Sequence, residues 1–131
     1  MSRKAVIVHS LAQAKAALAP GVPVLLLSAE GAAGAAGPAW WREVIALARA
    51  AHPATDARDL LDCGAAPGAV MAALAAGITE LSFHGSAAEV VKLTQMGATL
   101  LPRPAEALDL AEAPQPEHAC RVWLLAPQPG D

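Results

Sequence analysis

Short apolar runs alternate with segments of helical periodicity along most of this chain. The run at 22–27 is continuously apolar, which is typical of a strand covered on both faces in a parallel sheet. Leu11, Ala14 and Leu18 share the spacing of one helix face. Strict alternation of strand and helix implies parallel strands joined by right-handed crossovers. The pattern predicts an α/β fold with a mainly parallel sheet of about five or six strands, arranged as a flavodoxin-like open sheet or as a partial (βα) barrel.

Two helix starts carry a recognisable capping pattern. Ser10 is followed three residues later by Gln13, and Ser86 by Glu89. In this arrangement the side chains satisfy backbone groups that the first helical turn leaves free. The Gly-Ala stretch at 30–37 has little to fold around and is predicted to be a flexible loop.

The fourth predicted strand, at 78–83, has one polar face. Glu80, Ser82 and His84 alternate with Leu81 and Phe83. A strand buried between two layers of helices is normally apolar on both faces. The alternation therefore favours an edge position or a partly open face.

The C-terminal part of the chain departs from this pattern. A last helix is predicted over 104–111, followed by a proline-rich linker at 112–118. The apolar run at 120–127 is predicted to be a strand that covers a sheet edge of its own chain or of a second chain.

Size and composition restrict the class of protein. The 131 residues predict a single α/β domain over 1–131. Hydrophobic residues make up 55% of the chain, but the longest uncharged run, 63–79, is too short and too broken by glycine and proline to span a bilayer. No signal-peptide pattern is present, so we expect a cytoplasmic protein. Two cysteines, Cys63 and Cys120, are too few for a disulfide framework.

The charge pattern argues against nucleic acid as a partner. The net charge is −3, and the basic residues are scattered rather than clustered.

Polar residues follow several predicted strands, where parallel α/β folds bind their ligands. The catalytic candidates are His9, Asp62, Cys63 and His84. Imidazole and carboxylate groups also suit a metal ion, and the metal candidates are His9, Glu30, Asp62 and His84. No local ligand pair supports the metal, and histidines that simply end strands are the alternative. The sequence predicts no cofactor.

Cys63 is a candidate nucleophile because it precedes a predicted helix, whose N-terminus lowers the pKa of a thiol. Asp62 and Cys63 are adjacent in a strand, however, and therefore point to opposite faces of the sheet. Burial as a small apolar side chain is the alternative for Cys63.

Free amides at a helix start make a small anionic ligand, such as a phosphometabolite, another candidate. The residues involved are Gly64, Ala65, Ala66 and Gly68. Pro67 removes one amide donor from this turn, and Asp62 lies nearby. At the next helix start Glu89 occupies the equivalent position, so the capping box is the better interpretation there.

The segment at 66–86 runs from a Pro-Gly turn through an Ala-rich helix and a glycine to a strand, "APGAVMAALAAGITELSFHGS". It resembles part of the keto-deoxy-phosphogluconate aldolases, in which this strand carries the Schiff-base lysine. Here Ser82 stands at that position, between Leu81 and Phe83. The resemblance implies a barrel-like βα segment, and the serine departs from the aldolase chemistry.

Trp40 and Trp41 begin a predicted helix, and Trp123 lies in the C-terminal apolar run. Adjacent helix positions differ by about 100° in direction, so both Trp40 and Trp41 are buried only where two surfaces meet the helix. Tryptophan is enriched at interfaces, which makes these three residues candidates for a homo-oligomer interface. Without a convincing catalytic constellation, the sequence favours a non-catalytic binding or interaction protein that self-associates; a small enzyme or metal-binding protein and a phosphometabolite-binding domain are the alternatives.

Overall fold

Six parallel strands and six helices make up residues 3–127, the part of the chain that the computed structural model describes. The strands are β1 Lys4–Ile7, β2 Val24–Leu27, β3 Ala57–Asp62, β4 Glu80–Ser82, β5 Thr99–Leu101 and β6 Ala107–Asp109. The helices are α1 Leu11–Leu18, α2 Ala32–Ala35, α3 Pro38–Ala51, α4 Pro67–Ala75, α5 Ala87–Gln95 and α6 Pro116–Leu125. Within these residues, every helix falls short of the length and apolarity needed to cross a membrane.

The strands form one open parallel sheet in the order β5-β4-β3-β2-β1-β6. The register places Ala5, Leu25 and Arg58 side by side. Two residues further along β2 and β3, Leu27 pairs with Leu60. The predicted α/β fold with a parallel sheet of five or six strands is confirmed, and the sheet is not closed into a barrel.

All six helices pack against one face of the sheet. The main core joins buried residues of every helix to strand residues that include Val6, Leu26 and Leu61. Their neighbours along the strands point the other way, and Leu27 and Leu60 belong to a separate small cluster without helical residues. We call this second surface the open face. Its existence agrees with the polar alternation predicted for β4.

The link from β5 to β6, residues 102–106, crosses the open face, and we call it the strap. It joins the two outermost strands of the sheet. A link of this length spans at most about 20 Å, whereas the outer strands of a flat sheet of this width lie about 24 Å apart. The sheet must therefore curve towards the open face for the chain to make this connection.

The predicted capping box is present at Ser86, whereas at Ser10 only the serine half of the pattern forms, because the Gln13 side chain accepts from the His9 amide instead. The Ser10 hydroxyl accepts a hydrogen bond from the Gln13 amide at 3.2 Å. Ser86 and Glu89 form a reciprocal capping box at the start of α5.

The predictions for the C-terminal part are wrong. Residues 120–127 are not a strand, because most of them belong to α6, which begins at Pro116 inside the predicted linker. Cys120, Trp123 and Leu124 follow helical spacing and pack on the main core, a periodicity hidden by the continuous apolar run. The predicted helix at 104–111 is also wrong, because the chain there forms β6.

The loop predicted at 30–37 contains a turn of helix, α2. Its alanines Ala32 and Ala33 are buried because their small side chains pack closely on the core.

Candidate functional site

Asp62 is the centre of the polar contacts at the carboxyl ends of the strands. Its residue surface is only 3% exposed. Oδ1 accepts hydrogen bonds from the amides of Gly31 at 2.7 Å and Gly64 at 2.8 Å, and Oδ2 accepts one from the Ser82 hydroxyl at 2.6 Å. Gly31 and Gly64 have φ values of 67° and 59°, a region that favours glycine. Asp62 thereby joins the loops that follow β2 and β3.

Arg103, on the strap, completes this cluster. Its Nη1 lies 3.3 Å from Asp62 Oδ2 and donates to the Ser28 carbonyl at 3.0 Å. Its Nε lies 4.0 Å from the exposed Glu30 carboxylate. The sequence analysis did not identify Arg103, although an arginine between two prolines in a short link was the available signal. The residue fastens the strap to the far end of β2 and β3.

The Asp62 carboxylate is held in its charged form. Burial alone would raise its pKa, but the hydrogen bonds from Ser82, Gly31 and Gly64, together with the Arg103 charge, place the pKa below its ordinary value. A carboxylate whose two oxygens both accept hydrogen bonds is a poor general base, because protonation would break those bonds. Asp62 is thus a structural anion. Ser82, at the position of the aldolase lysine, is one of its donors.

His9 pairs with a residue that the sequence analysis did not consider. Its Nε2 lies 2.7 Å from Asp109 Oδ1, at the end of β6, and the same oxygen accepts the Ala111 amide at 2.9 Å. Burial would raise the pKa of Asp109, but the hydrogen bonds from Ala111 and His9 and the nearby charges keep it below its ordinary value. The pair links the ends of β1 and β6, which are neighbours in the sheet.

Cys63 does not have the properties of a nucleophile. As predicted, it faces away from Asp62: it lies in the main core, 2% exposed. Burial, together with the Asp62 charge, raises the pKa of its thiol to about 11. Burial likewise raises the pKa of Cys120 to about 11, with a further contribution from Glu117.

We therefore expect neither cysteine of the native protein to react rapidly with 5,5′-dithiobis(2-nitrobenzoate) at pH 8. A buried thiol with a pKa near 11 supplies almost no thiolate at that pH. Absorbance of the released thiolate measures the reaction, and the same sample in urea is the control, in which both thiols should react. A fast phase in the native protein would contradict this burial.

The other candidates do not converge. His84 is exposed, and its amide donates to the Gly64 carbonyl. At the proposed anion site, the Gly64 amide is taken by Asp62 and the Ala66 amide by the Cys63 carbonyl. The negative charge of Asp62 beside this turn would repel a phosphate. Across residues 3–127, histidine, cysteine and carboxylate side chains form no group of three or more that could hold a metal ion.

A cleft of about 780 Å³ lies on the open face, towards the beginnings of the strands. Its floor is apolar and includes Ala5, Leu25 and Leu60. The strap contributes Pro102 and Pro104 to one wall. The sequence analysis did not predict this cleft, because all its candidate residues lie at the carboxyl ends of the strands. The polar face of β4 was the available signal for it.

The cleft contains charged side chains on its apolar lining. The Arg58 guanidinium of β3 contacts the Glu80 carboxylate of β4. At another side of the cleft, Lys4 donates to the carbonyls of Trp123 and Ala126 at 2.7 and 2.6 Å, with its ammonium 5.2 Å from the centre of the Trp123 ring. Lys4 thus holds the end of α6 against the sheet. Within residues 3–127, the Arg58 and Glu80 side chains form no hydrogen bond or ion pair except with each other.

No known protein family, curated protein or solved structure matches this chain. The geometry and chemistry of the site are therefore the basis for assigning a function.

The three tryptophans proposed for an interface are used within the chain. Trp41 is completely buried in the main core, so the single chain offers no Trp41 surface to a second subunit. Trp123 donates its indole N–H to the Ala5 carbonyl at 3.0 Å. Trp40 is half-buried, packing on the core with its ring 6.0 Å from that of Trp41. Self-association stays a prediction, and Trp40 and Trp123 are its partly exposed candidates.

Proposed function

We propose that this protein is a non-catalytic binding domain that holds a small amphipathic molecule in the cleft of its open face. The cleft itself is the observation that carries the proposal. Its volume of about 780 Å³ lies in the range of small-molecule sites, which combine an apolar lining with a few polar groups. Here Leu25 and Leu101 supply the apolar surface, and Arg58 and Glu80 supply the polar groups.

The state of the catalytic candidates supports a binding role over an enzymatic one. Asp62 is committed to four donors, and the Cys63 thiol is buried and neutral. His9 is paired with Asp109 at the opposite end of the strands from the cleft. The cleft therefore joins apolar surface to charge without a nucleophile of the predicted set beside it.

The test is to fill the cleft. We expect Leu25→Trp to weaken binding of the uncharged dye Nile red about tenfold or more, because the larger side chain takes the space of the ligand. Leu47→Trp is the matched control, because Leu47 is 45% exposed on α3, on the helix side of the sheet. Dye fluorescence measures binding, and a thermal melt shows that each variant is folded.

Leu101→Trp provides a second variant if Leu25→Trp does not fold. Leu101 also lines the cleft and is 37% exposed, so the substitution leaves the core intact. Equal dye binding by wild type, cleft variants and control would overturn the proposal.

A further inference from the structure

We infer that the molecule held in the cleft is a zwitterionic α-amino acid with an apolar side chain, bound across the Arg58–Glu80 pair. The inference rests on the proposed function and specifies the class of ligand. It comes from the position of this ion pair, the donors and acceptors that the pair leaves available, and the balance of charge around the cleft.

The sheet places Arg58 and Glu80 together inside the cleft. Leu61 pairs with Leu81, so Glu80 lies beside Leu60 and diagonally opposite Arg58 on the neighbouring strand. Both side chains line the cleft and reach solvent, with 53% and 33% of their surfaces exposed. An exposed ion pair contributes little to stability, so this pair is available for a ligand at small cost to the fold.

The pair offers complementary groups side by side. Among the described residues, its contact uses one nitrogen of Arg58 and one oxygen of Glu80. A guanidinium has five N–H donors in a planar fork that matches a carboxylate, and the second Glu80 oxygen can accept from an ammonium. An α-amino acid carries its carboxylate and its ammonium on one carbon atom, so the two charges can reach the two neighbouring side chains together.

The balance of charge in the cleft favours a ligand with no net charge. Three basic and three acidic residues line it: Arg3, Lys4 and Arg58, and Asp59, Glu80 and Glu106. Half of these are committed elsewhere, since Arg3 pairs with Asp56, Lys4 binds the end of α6, and Asp59 pairs with Arg49. A simple anion would meet the Glu80 and Glu106 carboxylates, and a simple cation would meet Arg58.

The floor of the cleft gives the preference for an apolar side chain. Leu25 lies beside Arg58 in the register of the sheet, and Leu101 and Trp123 also line the cleft. A leucine or phenylalanine side chain would cover this surface while its charged groups remain on Arg58 and Glu80. Glycine, which lacks the apolar part, should bind more weakly.

Isothermal titration calorimetry with L-leucine, N-acetyl-L-leucine and L-leucinamide tests the inference. The acetyl group removes the cation and the amide removes the anion, so each derivative should bind about tenfold or more weakly than leucine, the loss expected for one charge-assisted contact. Equal binding of leucine and either derivative would overturn the zwitterionic class.

Variants connect the binding to the pair. Arg58→Gln and Glu80→Gln should each weaken leucine binding to a similar degree. Arg121→Gln is the matched control, because Arg121 pairs with Glu117 at 3.7 Å on the outer surface of α6, and it should bind leucine like the wild type. If the Arg58 and Glu80 variants bind leucine as tightly as Arg121→Gln does, the assignment of the ligand to this pair is wrong.

Nile red separates failure of this inference from failure of the proposed function. If leucine does not bind or displace the dye, while Leu25→Trp still abolishes dye binding, the cleft is a binding site and the ligand class is wrong. If neither leucine nor the dye depends on Leu25, both proposals fail.

Discussion

Asp62→Ala should destabilise the protein by about 3–5 kcal/mol, the range measured when one partner of a buried charged pair is removed. The substitution leaves the amides of Gly31 and Gly64 and the hydroxyl of Ser82 without their acceptor, in a region where the residue is 3% exposed. It also removes the buried carboxylate with which Arg103 pairs, although the Arg103 side chain is only 22% exposed. Buried donors without a partner carry their full desolvation cost.

Urea unfolding at neutral pH measures this loss. Asp56→Ala is the control, because Asp56 pairs with Arg3 at 2.7 Å but is 62% exposed. Exposed pairs contribute about 0–1 kcal/mol, so the control should remain close to the wild type. Similar losses of unfolding free energy in the two variants would show that Asp62 contributes no more to stability than a residue of a surface ion pair.

The effect of Asp62 should also depend on pH in a defined direction. The pKa of Asp62 in the folded protein is below the ordinary value of 3.8, because its hydrogen bonds and Arg103 outweigh its burial. Its stabilisation is therefore complete above that ordinary value and is lost as the pH falls through the lower folded pKa. Asp62→Asn should remove this part of the acid dependence. An unchanged acid profile would contradict the shift.

The local structure followed from the sequence wherever neighbouring residues decide it. The capping side chains Ser10 and Ser86 act within one helical turn, so their pattern is visible in a short window. The strand pattern fails for α6, where Cys120, Trp123 and Leu124 share one helix face but stand within a continuous apolar run. Only packing of α6 against the rest of the chain decides between the two interpretations.

The site depended on long-range contacts that a sequence does not display. Asp62 was a candidate because it ends a strand, but its role follows from Arg103, which arrives from the strap. The strap crosses the open face because β6 adds beside β1 rather than beside β5. A sequence that predicts a helix at 104–111 cannot reveal that crossing, and the cleft beneath it stays hidden for the same reason.

Asp62 and the cleft are mechanically related through the strap. Arg103 binds the Ser28 carbonyl and Asp62 at the carboxyl ends of the strands. Its neighbours Pro102 and Pro104 form a wall of the cleft. Two prolines restrict the backbone of this segment, so a single anchored arginine is enough to position the wall. In the proposed binding role, the buried carboxylate would hold the strap that forms this wall in place.

Trp41→Ala should cost about 3–5 kcal/mol, as truncation of a large core side chain does. Trp41 is completely buried among residues of the main core. Trp41→Phe should cost much less, because it keeps most of the apolar contact and removes an indole N–H that has no hydrogen-bond partner among the described residues. Urea unfolding of both variants, with Trp40→Phe as the control for a half-buried neighbour, gives the comparison.

The dependence of these losses on protein concentration distinguishes a core residue from an interface residue. Stability that comes from association changes with the concentration of protomers, whereas stability that comes from packing within one chain does not. Because Trp41 has no exposed surface in the single chain, its loss should be the same at low and high micromolar protein. A loss that grows with concentration would mean that the chain rearranges to present Trp41 to a second copy, and it would support the interface prediction from the sequence.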